Sequence, residues 1–127
     1  GKPLSFVRRT ATIMSKFQAQ DPNFERRVRE SFARQQLMHT FGATLTLVEP
    51  GVVEMELPYR TELTQQHGFL HAGVLASMLD SACGYAALSL MPADAAVLSV
   101  EFKVNMLAPA QGERLITRAE VKRAGRQ

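Results

Sequence analysis

Between Gly73 and Met91 the chain carries one charged side chain, Asp80, and no proline. The run reads as a long helix, apolar almost all round, which must be buried on nearly all sides. A carboxylate in the middle of such a helix is costly unless it is paired, hydrogen-bonded or put to chemical use. At about 100° per residue, the face centred on Asp80 gathers Gly73, Ala76, Ser77, Cys83, Gly84 and Ala87, all small. The opposite face gathers Leu75, Met78, Leu79, Ala82, Tyr85 and Ala86. The bulky face enters a core. The small face forms a smooth strip around the acid, where a ligand or a second backbone can approach closely. Tight packing within one subunit, with Asp80 as a buried structural hydrogen-bonder, produces the same pattern, and spacing alone leaves both readings open.

Other reactive residue types in this region point to less chemistry. A nucleophilic cysteine wants a neighbouring His or cation, and none is evident on the helix of Cys83, so that residue reads as small packing. His67 and His71 belong to the polar loop before the helix, which they can anchor through hydrogen bonds. His39 falls at a helix C-terminus, where a cation is favourable. The histidines and acids show no metal-ligand spacing, and no Gly-rich phosphate loop is present. Neither a metal nor a cofactor is expected.

The elements that must position Asp80 follow from periodicity. Leu4, Val7, Met14 and Phe17 suggest an amphipathic helix over 4–18. Asp21-Pro22 starts a second, with Asp as N-cap, running toward Met38 with Phe24, Val28, Phe32 and Leu37 on one side. Gly42 ends the helical region. The period then changes to two. Ala43, Leu45 and Leu47 face one way, and after a Glu49-Pro50-Gly51 turn so do Val53, Met55 and Leu57, with Glu54 and Glu56 on a wet face. Tyr59 to Leu70 is a loop, the central helix follows, and Pro92 stops it. Val97–Leu107 is the clearest strand, 108–112 a turn, and Leu115 to Val121 a further strand before a turn at Ala124-Gly125. The order is ααββ, loop, α, ββ: an antiparallel sheet wrapped round one buried helix in an α+β domain. The last turn has no strand to lead into, so one or more C-terminal strands of the native protein are expected beyond this chain.

Length and composition fit one domain. The chain has 127 residues, 46% apolar and 21% charged, and no apolar run long enough to cross a membrane. Of the net charge of +3, residues 1–39 hold eight Lys or Arg against three Asp or Glu. That basic segment reads as a solvated helical extension, since the interleaved aromatics of a nucleic-acid binder are missing. A single cysteine fits a reducing compartment, and the cytoplasm is the default. The acid-free, Arg-containing first twenty residues bear a faint likeness to an organellar transit peptide.

The loop with His71-x-Gly73, an Asp nine residues after that His on the helix, the strand Ser99-Val100-Glu101-Phe102-Lys103-Val104-Asn105 and then Pro109-Ala110 together resemble the hotdog-fold acyl-CoA thioesterases. The nearest branch is the phenylacetic-acid-degradation type. The resemblance covers about residues 40–127, with 1–39 matching only the helical extensions of some members. It implies hydrolysis of an acyl-CoA to a carboxylic acid and CoA, with no added cofactor. It places the helix acid, a general base or nucleophile, on Asp80. The loop amide falls on Gln65 where the family has Asn. The oxyanion-binding N–H falls on Ala72 where the family has Gly, and a water-holding hydroxyl falls on Ser99. His71, Gly73 and Ser77 border the substrate.

The family's loop and acid come from different subunits, so the resemblance implies a homodimer with a shared site, or a tetramer of such dimers. Physics agrees. A helix N-terminus at Ala72-Gly73 offers N–H groups to a developing oxyanion, but Asp80 lies roughly 10 to 12 Å further along. That is too far for one substrate atom within one subunit. Arg114, Arg118, Lys122, Arg123 and Arg126 are candidates to meet the phosphates of coenzyme A. Two rival readings remain: a hotdog enoyl- or hydroxyacyl-CoA hydratase-dehydratase in which His71 moves protons, and a non-catalytic acyl-CoA-binding protein in which Asp80 is structural.

Overall fold

The computed structural model describes residues 17–93, 98–107 and 114–126, apart from the side chains of 98–100, 107 and 124–126. The helix expected over 4–18 and the turn at 108–112 lie outside these residues, except for the first helix's final two. Helix α1 spans Phe24–Arg34 and α2 spans Gln36–Phe41. Strands β1 (Thr44–Glu49) and β2 (Val52–Pro58) follow, then a 3-10 turn at Thr61–Leu63 and the long helix α3 (Ala72–Leu88). Strands β3 (Leu98–Leu107) and β4 (Arg114–Arg126) complete an antiparallel sheet of order β1-β2-β4-β3. The α+β architecture is the expected one, a hotdog-type sheet against a central helix.

The core forms where alternation on the sheet meets the bulky side of α3. Val53, Met55 and Leu57 of β2 and Leu115, Ala119 and Val121 of β4 pack with Val74, Met78, Ala82, Tyr85 and Ala86 of α3. Met55, Leu57 and Met78 are fully buried, each stabilising the fold by about 1.5–3 kcal/mol. Val28 and Phe32 of α1 and Met38 of α2 join the same cluster, so the described part of the helical extension is built into this core. No helix among the described residues is long and apolar enough to cross a membrane.

The structure departs from the local reading in several places. One helix from Asp21 becomes two. Asp21 turns its Oδ1 to the Asn23 N–H at 2.9 Å, delaying the start. Gln35 adopts an extended backbone while its side chain reaches Tyr85 Oη at 2.8 Å and accepts from Ser81 Oγ at 3.0 Å. A register shift between Leu45 and Leu47 then passes the buried position from Leu47 to Val48. The outer sheet face is not wet at its centre: Glu54 is 1% exposed and lies 3.4 Å from Arg118, opposite it on β4. Ala124-Gly125 is no turn, because β3 is long enough to keep pairing, with Gly125 opposite Ser99.

Helix α3 ends at Leu88, before Pro92, and a cation holds its C-terminus. Arg27 donates from Nη2 to the carbonyls of Leu88 at 2.9 Å and Met91 at 2.7 Å, and from Nη1 to Pro92 at 3.1 Å. Asp21, itself buried, pairs with the same guanidinium at 3.2 Å. Orphan carbonyls and the negative end of the helix dipole are thus answered together. Arg27→Met is expected to lower unfolding free energy by about 2–4 kcal/mol in urea titration, because charged hydrogen bonds are lost and Asp21 is stranded. Arg29→Met, which breaks an exposed i,i+4 pair with Glu25, is expected to cost under about 1 kcal/mol. Equal costs would refute the capping role.

Candidate active site

The loop before α3 is a compact turn fixed by its own polar groups. Gln65 N–H donates to Phe69 O at 2.8 Å and Gly68 N–H to Gln65 O at 3.0 Å, with Gly68 at φ 87°. The Gln65 side chain folds over this turn, its Oε1 accepting from the N–H of His67 at 2.6 Å and of Phe69 at 3.4 Å. Its Nε2 has no hydrogen-bond partner among the described residues. Tyr59 Oη donates to Gly68 O at 2.7 Å and straps the turn to the end of β2. An aromatic after Pro58 carries no periodic signal, so the Tyr59 strap is not legible in the sequence.

His71 is the N-cap of α3, with extended backbone at φ −65°, ψ 140°. Its Nδ1 accepts the Gly73 N–H at 2.8 Å, while its carbonyl accepts from Val74 and Leu75. This engages Nδ1 as the cap, while Nε2 has no partner among the described residues. With the next three N–H groups occupied, the N–H of Ala72 is the first of the helix and has no partner among the described residues. His71, Ala72 and Gly73 are exposed. The helix thus offers an open donor at its positive end.

The other face of α3 is bare. Ala76, Asp80 and Gly84 are exposed, Ser77, Cys83 and Ala87 half-buried. The small-residue strip read from the sequence is real, but burial of the helix on nearly all sides is not: the described chain covers only the bulky face. Asp80 is therefore an exposed carboxylate with no hydrogen-bond or ion-pair partner among the described residues. Ser77 Oγ donates to Gly73 O at 2.9 Å, back along its own helix. Asp80 lies eight positions after Ala72, roughly 12 Å of rise. The fold sets His71, Ala72 and Gly73 at the N-terminal end of α3, ties Gln65 into the turn of the preceding loop, and sets Asp80 apart.

Ser99 lies on β3, at the edge of the sheet; its side chain is outside the described residues. The basic strand residues are largely committed. Arg118 pairs with Glu54 and Glu120, Arg114 with Glu56 at 3.2 Å and Arg123 with Glu101 at 3.3 Å, leaving Lys122 exposed. Among the described residues no three His, Cys, Asp or Glu side chains gather as a metal site.

Burial, reinforced by the Asp80 carboxylate, pushes the Cys83 thiol above its ordinary value. The thiol therefore stays protonated at neutral pH, which removes it as a nucleophile. Alkylation by iodoacetamide at pH 8 is expected to run slower than that of glutathione. Asp80→Asn, by removing the like charge, should speed it; an unchanged rate would argue against the Asp80 contribution.

Comparison with known proteins places this arrangement. The family model described as the thioesterase superfamily matches residues 67–127, which hold the end of the loop, α3 and both later strands. The crystal structure of a thioesterase family protein from Silicibacter pomeroyi is 55% identical, with a TM-score of 0.67 over 80% of this chain and 75% of that one. A phenylacetic acid degradation-related protein of Ralstonia eutropha JMP134, 24% identical, shares the fold with a TM-score of 0.60 over 81% of this chain and 80% of that one. A protein of Halobacterium salinarum that bears an esterase name is 32% identical over 94 residues, 70% of this chain; the chain spans 62% of that protein's length. The loop, the capped helix and the sheet are thus those of a known fold, and the chain belongs to the thioesterase superfamily.

Proposed function

We infer that the protein hydrolyses acyl-CoA thioesters, releasing a carboxylic acid and CoA. One observation carries the reading: an unoccupied N–H at the capped N-terminus of α3 and an uncommitted carboxylate on the bare strip of the same helix. In it, the Ala72 N–H receives the thioester oxygen as it becomes an oxyanion, helped by the helix dipole. Asp80 acts on the carbonyl carbon, either by taking a proton from water or by direct attack. Gln65 Nε2 and the Ser99 hydroxyl orient that water, and His71, Gly73 and Ser77 border the substrate.

The separation of roughly 12 Å between donor and acid supports a homodimer in which the loop of one protomer faces the helix strip of its partner. Small side chains on the strip permit that approach. The hydratase alternative would need His71 to carry a proton, and its Nδ1 is already engaged as the helix cap. Location in the cytoplasm, independence from cofactors and assembly into a tetramer are expectations of the same reading.

Two substitutions test it. Asp80→Asn, isosteric and on an exposed position, is expected to slow free-thiol release from an acyl-CoA panel by about a hundredfold or more. Retained activity would remove Asp80 from the chemistry. Ala72→Pro deletes the N–H at the first helical position, where proline is well tolerated, and the extended His71 backbone already suits a following proline. It should lower kcat by about 10²–10³ with stability held within about 1 kcal/mol. An active Ala72→Pro protein would move the oxyanion site elsewhere.

A further inference from the structure

A cleft of about 300 Å³ opens between the loop and the first turn of α3, bounded by Tyr59, Phe69, Leu70, Leu75, Leu115 and Arg114. Its position ties it to the thioester site. Phe69 and Leu70 directly precede the His71 cap, and Leu75 follows Ala72 by one helical turn, roughly 5 Å. The walls come from three elements: the loop, α3 and the start of β4. The Tyr59 hydroxyl, bonded to Gly68 O at 2.7 Å, fixes the loop wall. Phe69 lines the cleft while remaining 70% exposed.

The charge balance decides the occupant. Arg114 is the one cation among the described residues of the lining, and Glu56 already lies 3.2 Å from it. A cleft whose cation is paired offers little to the phosphates of a nucleotide, whereas its apolar walls favour an uncharged hydrocarbon group. Its volume sits at the lower end of small-molecule sites, which suits a group of moderate size.

We propose that this cleft receives the acyl portion of the thioester, a medium-length alkyl or single-ring aryl group, and so sets chain-length preference. The proposal rests on the thioesterase reading. A carbonyl held at the Ala72 N–H points its substituent over Leu75 into the cleft, and the CoA arm leaves the opposite way. Phe69 and Leu75 are then specificity determinants, acting on the chain and not on the reacting atoms.

The test uses non-hydrolysable S-alkyl-CoA thioethers from ethyl to dodecyl, with calorimetric affinity read as a function of chain length. Affinity is expected to rise by up to roughly fourfold per buried methylene and then level off once the cleft is full. Leu75→Trp, which fills the cleft, should bring the plateau to shorter chains. Phe69→Ala, at an exposed position that leaves the core intact, should flatten the slope even if Leu75→Trp fails to fold. A flat dependence in the wild type, as expected of a cleft that holds the pantetheine or nucleotide arm, overturns the proposal. So does a slope and plateau unchanged in the variants. Hydrolysis of the matching acyl-CoA esters is followed separately. A chain-length slope without any turnover sinks the thioesterase reading and leaves the acyl site standing, whereas turnover with a flat slope does the reverse.

Discussion

Helix α3 is held at both ends by side chains that answer its dipole. His71 takes the Gly73 N–H at one end, and Arg27 takes the carbonyls of Leu88, Met91 and Pro92 at the other. A 17-residue helix of apolar and small residues gains little from surface charge pairs, so packing and its ends define its position. Both clamps are tied to further structure. The His71 N–H is bonded to Leu63 O, and Arg27 is paired with Asp21. The helix is therefore a fixed rod, and the groups mounted on it have a defined direction.

That rigidity explains how a helix terminus becomes an open donor. The cap leaves one N–H without a partner among the described residues and presents it beside a loop whose turn is closed by Gln65. Electrostatic stabilisation depends on donors arranged before charge develops, and a donor on a capped helix meets that demand better than one on a free loop. The rest of the rod divides its labour by side-chain size. Bulky residues enter the core shared with β2 and β4, and small residues around Asp80 remain uncovered. The same carboxylate acts on Cys83, helping to hold that thiol protonated, so the strip carries a single reactive group.

On the far side of the sheet, polar residues are buried as well. Glu54 and Arg118 face each other across β2 and β4, in a position where removing either would strand the other. The central strands are thus enclosed on both faces, and the register that aligns this pair also aligns Met55 with Thr117 and Leu57 with Leu115 on the core side. A one-residue slip would exchange the two faces.

Local periodicity determined a good deal by itself. The backbone repeats of 3.6 and 2.0 residues are intrinsic to the chain, so α3, the β1–β2 hairpin, the two later strands and the small-residue strip round Asp80 were legible in the residue order. The adjacency of His71, Ala72 and Gly73 at the start of α3 was legible too, because neighbours in sequence need no long-range fold to meet. Tertiary structure alone decided the rest. Gln35 breaks a helical run because Ser81 and Tyr85 compete for its side chain from 46 and 50 residues away. Arg27 caps a helix that ends 61 residues later, Glu54 is buried because Arg118 stands across the sheet, and Ala124-Gly125 stays extended because β3 continues to pair. The bareness of the Asp80 face belongs to the same class. A side chain's pattern announces which face it shares, but whether another surface covers that face depends on partners distant in the chain, and no local repeat encodes their identity.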